Sequence, residues 1–321
     1  MNTTTNAPDN AAPLYKGLLS VVVPCRDEAE AIAPFYAEFS KAISAMGCPA
    51  YELIFVDDGS TDSTLAEIEK LADANVRAIS FSRNFGKEAA MLAGLKAAKG
   101  DFAAVMDADL QDPPSLLPEM FRAILDEGFD SAAARRTTRE GEPRARSALA
   151  RIFYKTINAL APIKLKEGAR DFRLMTREML GAVLELSEYN RFTKGIYEWV
   201  GFKTKWIEYE NVGRCAGRTK WSMASLALYS ADAITSFSSA PLALVSILGF
   251  LMCAFSAFAA VFLSIRQLIY HNSAYGWTSM ICVIFFLSGI QLFCIGILGH
   301  YVSKIYLETK RRPHYIIREK K

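Results

Sequence analysis

The sequence predicts an α/β protein with a mostly parallel sheet, followed by two apolar helices that cross a membrane. Three observations carry that expectation. Short apolar runs alternate with helical patterns through the first third of the 321 residues, as strands covered on both faces of a parallel sheet do. A polar cluster follows each run, at 24–28, 57–62, 82–87 and 107–112, where open α/β sheets bind their ligands. The stretch from Pro241 to Ile265 has no charged residue and exceeds the roughly 20 residues that span a bilayer.

Each element has a local reason. Residues 1–17 are polar and lack the basic start and apolar core of a signal peptide, so they read as a loose tail. LLSVVV (18–23) is the first strand. Residues 29–46 place Ile32, Phe35, Phe39 and Ile43 on one helical face. YELIFV (51–56) is the second strand, and DDGSTDST, dense in capping residues, leads into a helix to about Ala72. VRAISF (76–81) is a third strand, 86–98 a helix, and FAAVM (102–106) a fourth strand ending at Asp107. The main domain extends to 218, and its basic stretch 136–151 reads as a loop entering a helix. Residues 219–240 wind as an amphipathic helix suited to a membrane interface. The hairpin occupies 241–303, with spans at 241–265 and 277–303, and 304–321 is a basic tail. Lys/Arg-rich flanks and a short loop bearing only Arg266 place both termini in the cytoplasm.

Composition excludes several classes. Hydrophobic residues make up 51% and charged residues 22%, too apolar for disorder. The mean hydropathy of +0.13 averages two unlike parts. With 37 basic against 34 acidic residues, a nucleic-acid partner is not indicated. The six cysteines form no CxxC pair, which argues against a disulfide framework or zinc site. The three histidines lie at 271, 300 and 314. A catalytic metal in the main domain must then rely on oxygen ligands.

MDADLQDPP (106–114) is the strongest motif. Asp107 and Asp109 repel one another unless a cation is near, and Mg²⁺ or Mn²⁺ bridges such carboxylates to phosphates. Asp112 before Pro113 reads instead as a helix N-cap. In FVDDGSTDST (55–64), Asp57 and Asp58 end a strand and Gly59 allows a tight turn. Such carboxylates either bind a nucleobase or ribose or cap a turn. VVVPCRDEAEAI brings Glu28 beside them. SRNFGKEAAML supplies Arg83 and Lys87, which read equally as surface charges or diphosphate ligands.

Together these motifs resemble the family-2 glycosyltransferases of GT-A fold, and within them the membrane-bound polyprenyl-phosphate glycosyltransferases. That group includes bactoprenol glucosyltransferases, undecaprenyl-phosphate aminoarabinose transferases and dolichol-phosphate mannose synthase. The similarity extends over about 18–317 and includes DFRLMTR (171–177), NRFTKGIYEWVGF (190–202), AGRTKWS (216–222) and LGHYVSKIYLETKRRPHYI (298–316).

The resemblance implies transfer of a sugar from a nucleotide diphosphate to undecaprenyl or another polyprenyl phosphate, with inversion. The leaning of SRNFGKEAA toward the bactoprenol enzymes makes UDP-glucose the first candidate donor. Pro24, Glu28 and Asp58 would line the nucleotide pocket. Asp107 and Asp109 would hold Mg²⁺ or Mn²⁺, with Gln111 beside the metal or sugar. Arg135, Arg146 and Lys220 would meet the lipid phosphate, with Arg218 and Arg214 as secondary candidates. Ala150 stands where the related enzymes carry a phosphate-binding serine. The setting implied is a bacterial inner membrane with the catalytic domain in the cytoplasm, lipid as a partner, and homo-oligomers, tetramers included, compatible with the group. A processive polysaccharide synthase would have more spans and a QxxRW-type motif. An idle lipid-carrier scaffold would have no use for clustered carboxylates.

Overall fold

The computed structural model describes residues 14–47, 49–137, 144–210, 223–270 and 276–321. Four strands form where apolar runs were read: β1 (Leu18–Cys25), β2 (Ala50–Asp57), β3 (Val76–Phe81) and β4 (Phe102–Val105). They lie parallel, with β1 between β4 and β2 and β3 outside β2. Helices α1 (Ala29–Ala45), α2 (Thr64–Glu69) and α3 (Lys87–Ala97) connect them. Helix α2 stops short of the expected Ala72, which adopts a left-handed φ of 48°.

Strands β5 (Ser131–Arg136), β6 (Ala169–Thr176) and β7 (Thr204–Tyr209) extend the sheet, with α4 (Leu117–Leu125) packed beside them. Helix α5 (Arg144–Leu160) follows β5. Helices α6 (Arg177–Glu185) and α7 (Thr193–Trp199) lie between β6 and β7. The strand β6 runs antiparallel to both β4 and β5, so the sheet is mixed.

Alternate residues of β1 serve opposite faces. Leu19, Val21 and Val23 join Phe35, Phe39 and Phe121 on one side. Val22 joins Met91, Met179 and Ile196 on the other. Such two-sided burial is what a run of consecutive apolar residues requires.

Helix α8 (Met223–Phe237) occupies the segment read as interfacial. It packs against α5, and Ala233 is buried with Ile157 and Phe192. Helices α9 (Ala240–Tyr270) and α10 (Trp277–Thr309) form the hairpin. Both are long and apolar enough to cross a membrane, over Ala240–Leu263 and Val283–Thr309, and neither stretch is buried against protein. A soluble core helix would have its apolar surface covered, so the exposed faces, such as Phe250 and Phe285, fit lipid as their solvent.

The last segment departs from the expectation of a simple basic tail. Strand β8 (Ile317–Lys320) returns from α10 and pairs antiparallel with β3, closing the order β7-β5-β6-β4-β1-β2-β3-β8. Tyr315 stacks on Phe81 with centroids 5.0 Å apart, and Lys321 pairs with Glu69. The basic composition masked this role, because pairing of an edge strand uses backbone groups that residue type does not reveal.

Candidate active site

The site forms at the carboxyl ends of β2, β3 and β4. Asp58, 4% exposed, accepts hydrogen bonds from the backbone N–H groups of Phe85 (2.6 Å) and Gly86 (2.9 Å). Burial outweighs these donors and raises its pKa above the usual carboxylate value. Asp57 accepts from Ser60 N–H (2.9 Å) and the Ser80 hydroxyl (2.8 Å). Both carboxylates therefore hold loops. Gly59, at φ +65°, is needed here: a Cβ would lie 2.4 Å from the Arg83 carbonyl carbon. The loop so anchored carries Arg83 and delivers Lys87 as the first residue of α3.

Lys87 joins two carboxylates. Its Nζ lies 2.6 Å from Asp107 Oδ1 and 2.5 Å from Asp171 Oδ2. Burial alone would lower its pKa, but the two acids outweigh burial and raise it. For Asp171, burial is outweighed by Lys194 and Lys87, which hold it well below the usual carboxylate range. The Lys194 Nζ is 3.6 Å from Asp171 and donates to the Ala169 carbonyl at 3.0 Å. Antiparallel pairing explains the meeting. Val105 pairs with Arg173, so continuation of that register sets Asp107 opposite Asp171.

Asp109 is 8% exposed and accepts the Gln111 N–H at 3.1 Å, across Leu110 at a left-handed φ of 56°. Asp112 is fully buried, but not as the N-cap that its sequence context implied. Its carboxylate receives Arg170 Nε at 2.8 Å and the Tyr209 hydroxyl. The helical turn after it begins at Pro114, with Pro113 in the cap position. A buried carboxylate gains more from a guanidinium than from a turn's N–H groups.

A cavity of about 660 Å³ opens here. Of the residues read from sequence, it gathers Arg83, Lys87, Asp107, Asp109 and Gln111. Pro24, Glu28, Asp57 and Asp58 are not in its wall. Arg135 is also outside it, bonded to the Glu167 carbonyl and Glu208. Arg146 belongs to α5, but its side chain lies outside the described residues, as do Arg214, Arg218 and Lys220.

The wall also contains groups with no role assigned from sequence: Arg170, Asp171, Arg191 and Lys194, then Asp232 of α8, Lys304 of α10 and His314. Asp171, which opens DFRLMTR, and Arg170 just before it were the available signal for the first two. His314 comes to this wall from the C-terminal tail, beyond the main domain read from sequence. It stacks on Tyr189 at 5.5 Å, and burial with Arg191 and Lys96 lowers its pKa.

Among the described residues no group of three His, Cys, Asp or Glu side chains is placed to hold a metal. Asp107 and Asp109 offer two carboxylates, and Gln111 an amide oxygen, on one wall. That donor set fits Mg²⁺ or Mn²⁺ shared with a phosphate-bearing ligand, since such ions take one or two carboxylates and complete their shell from phosphate and water. It does not fit an all-protein cage.

Residues 20–184 match the family described as Glycosyl transferase family 2. The chain is 41% identical over 308 residues to a putative glycosyltransferase, CsbB, of Bacillus subtilis, covering 95% of this chain and 93% of that protein. It is 39% identical to the bactoprenol glucosyl transferase of Shigella phage SfX, covering 94% and 99%. A mannosyltransferase structure from Pyrobaculum calidifontis, in complex with GDP-Man and Mn²⁺, is a distant likeness. It shares 16% identity over 92% of this chain and 90% of that one, at a TM-score of 0.46. With the family match and relatives alike along nearly their full length, the chain belongs to glycosyltransferase family 2.

Proposed function

We propose that this glycosyltransferase moves a sugar, glucose first among candidates, from a nucleoside diphosphate, UDP first, to a polyprenyl phosphate at the cytoplasmic face of a bacterial inner membrane. The observation that carries the reading is one cavity lined both by Asp107 and Asp109 at the sheet's end and by Lys304 on a membrane-length helix. The bactoprenol glucosyl transferase relatives support the carrier class.

A polyprenyl chain resists leaving the bilayer, at about 0.8 kcal/mol for each buried methylene. The enzyme must therefore meet the headgroup at the interface. The hairpin is mounted for this. Tyr301 donates to the Ser238 carbonyl at 2.7 Å, and the Tyr189 N–H donates to Glu308 at 2.6 Å.

The acceptor phosphate is anionic at pH 7, so no strong base is required. His314, with its lowered pKa, need not act as one. Arg83 and Lys194 line the cavity and would neutralise charge growing on the departing diphosphate, where fixed charges act most strongly in a partly dry site. Lys87 fixes the orientation of Asp107 and Asp171. A Mg²⁺ or Mn²⁺ ion held by Asp107 and Asp109 would supply further charge neutralisation for the leaving diphosphate. Attack from the face opposite the departing group inverts the anomeric centre, and holding the two reactants in line supplies much of the rate.

The test is a panel of nucleotide sugars with polyprenyl phosphate and the purified full-length chain, reading which donor is consumed and the anomeric configuration of the product. Consumption of UDP-glucose with a β-linked lipid product is expected. A polymeric product, or lipid binding without turnover, would overturn the reading.

A further inference from the structure

The cavity wall has a cation on the membrane side that the proposed chemistry leaves without a task. Lys304 belongs to α10, within its apolar stretch Val283–Thr309. Its side chain is only 20% exposed, and its Nζ lies 2.5 Å from Asp232 Oδ1. The same Asp232 oxygen is 3.5 Å from His300 Nε2, and that nitrogen is 3.3 Å from the Thr235 hydroxyl. Lys304 and Asp232 both line the cavity that contains Asp107 and Asp109.

The other lysines of the described wall are committed deeper, at the sheet. Lys87 is held by two carboxylates, and Lys194 by Asp171 and a carbonyl. Lys304 is different in its mounting and in its partner. It rises from the helix that leaves the membrane, where a lysine stem lies along apolar surface and its ammonium seeks the headgroup level. Its partner, Asp232, is about half-exposed. Water can take up the Asp232 carboxylate once it is displaced, which lowers the cost of exchanging it for a stronger anion. A phosphate offers more negative charge and three acceptor oxygens to an ammonium that can rotate its donors.

We propose that Lys304 binds the phosphate of the membrane acceptor, and that Asp232 is a resident counter-anion which the phosphate displaces. This deepens the proposed function and rests on its acceptor class. Asp232 keeps the ammonium ordered at the cavity wall while no acceptor is present. The exchange also steers: a neutral lipid cannot displace Asp232, whereas an anionic headgroup can. The donor's diphosphate has the same chemistry, so the two sources must be separated by kinetics.

The experiment uses full-length protein in lipid nanodiscs, with polyprenyl phosphate and the donor that the wild type consumes. The KM for each substrate is measured with the other saturating. Lys304→Ala is expected to raise the acceptor KM ~10–100-fold, the worth of one charge-assisted hydrogen bond, with the donor KM unchanged. Lys304→Arg restores most of the affinity. Asp232→Asn shifts the acceptor KM the other way, downward, because the competitor is gone. A structural tie between α8 and α10 would instead make Lys304→Ala and Asp232→Asn fail alike, with parallel losses of thermal midpoint and kcat. That result overturns the proposal, as does an unchanged acceptor KM or a shift confined to the donor KM. Wild-type protein that glycosylates no polyprenyl phosphate would overturn the acceptor reading, and this assignment with it. Wild-type turnover with an unaltered KM in Lys304→Ala overturns this assignment alone.

Discussion

Replacing Asp58 by alanine separates two roles for this residue: binding the nucleotide and holding the loop before α3. The carboxylate is 4% exposed and takes backbone N–H groups from Phe85 at 2.6 Å and Gly86 at 2.9 Å. A hydrogen bond to a charged group contributes about 1.5–3 kcal/mol. Phe85 and Gly86 are only half-buried, so water recovers part of the loss. About 2–4 kcal/mol then remains as the destabilisation. For a domain of this size that corresponds to a fall of roughly 5–15 °C in the thermal midpoint. The same loop bears Arg83 and leads into Lys87 at the start of α3, so the donor KM rises as well. Thermal unfolding of the full-length chain in detergent, followed by near-ultraviolet circular dichroism, reads the first effect. Titration with nucleoside diphosphate reads the second. An unaltered midpoint with lost nucleotide affinity would refute the loop-holding role and restore direct contact. Gly59→Ala is the companion variant, because its Cβ would meet Arg83 backbone at 2.4 Å. The two effects should fall short of additive, since both loosen one loop.

Asp109→Ala should cut turnover at least ~100-fold, the scale of losing one charge-stabilising group at a reacting centre. Thermal unfolding of the same variant separates loss of chemistry from loss of fold, since the bond from the Gln111 N–H to Asp109 goes with the carboxylate. Near-normal activity there, or after exhaustive chelation, would remove the metal from the account. Truncation before His314 deletes β8, the Tyr315–Phe81 stack and the histidine of the cavity wall. Stability should fall by about 2–4 kcal/mol from the lost ladder and ring contact, and the uncovered β3 edge should promote aggregation. An unchanged midpoint would show that the tail does not support the sheet. Cys25 is 3% exposed, and burial together with Glu28 and Asp57 raises its thiol pKa. Peptide mass spectrometry after maleimide treatment at pH 7.5 should find it unlabelled in the folded protein and labelled after denaturation. Labelling at the rate of an open thiol would contradict that burial.

Local pattern was enough for part of this protein. Consecutive apolar residues at 18–23, 51–56, 76–81 and 102–106 demand cover on both faces, and β1 to β4 lie there. The uncharged stretch from Pro241 is long enough to cross a bilayer as a helix, and α9 lies there. Asp107 and Asp109 stand out because paired acids after an apolar strand are costly without a cation. None of these inferences needs a distant residue.

The rest depends on what strand order brings together. Asp171 meets Asp107 only because β6 enters beside β4 and runs against it. Arg170 reaches Asp112 for the same reason, which turned an apparent cap into a buried ion pair. Asp58 faces the loop after β3 rather than the cavity, and the tail comes back to close the sheet. Periodicity along a chain records which face of an element is apolar. It contains no information about which distant element will cover that face, and long-range pairing alone decided which charges this cavity contains.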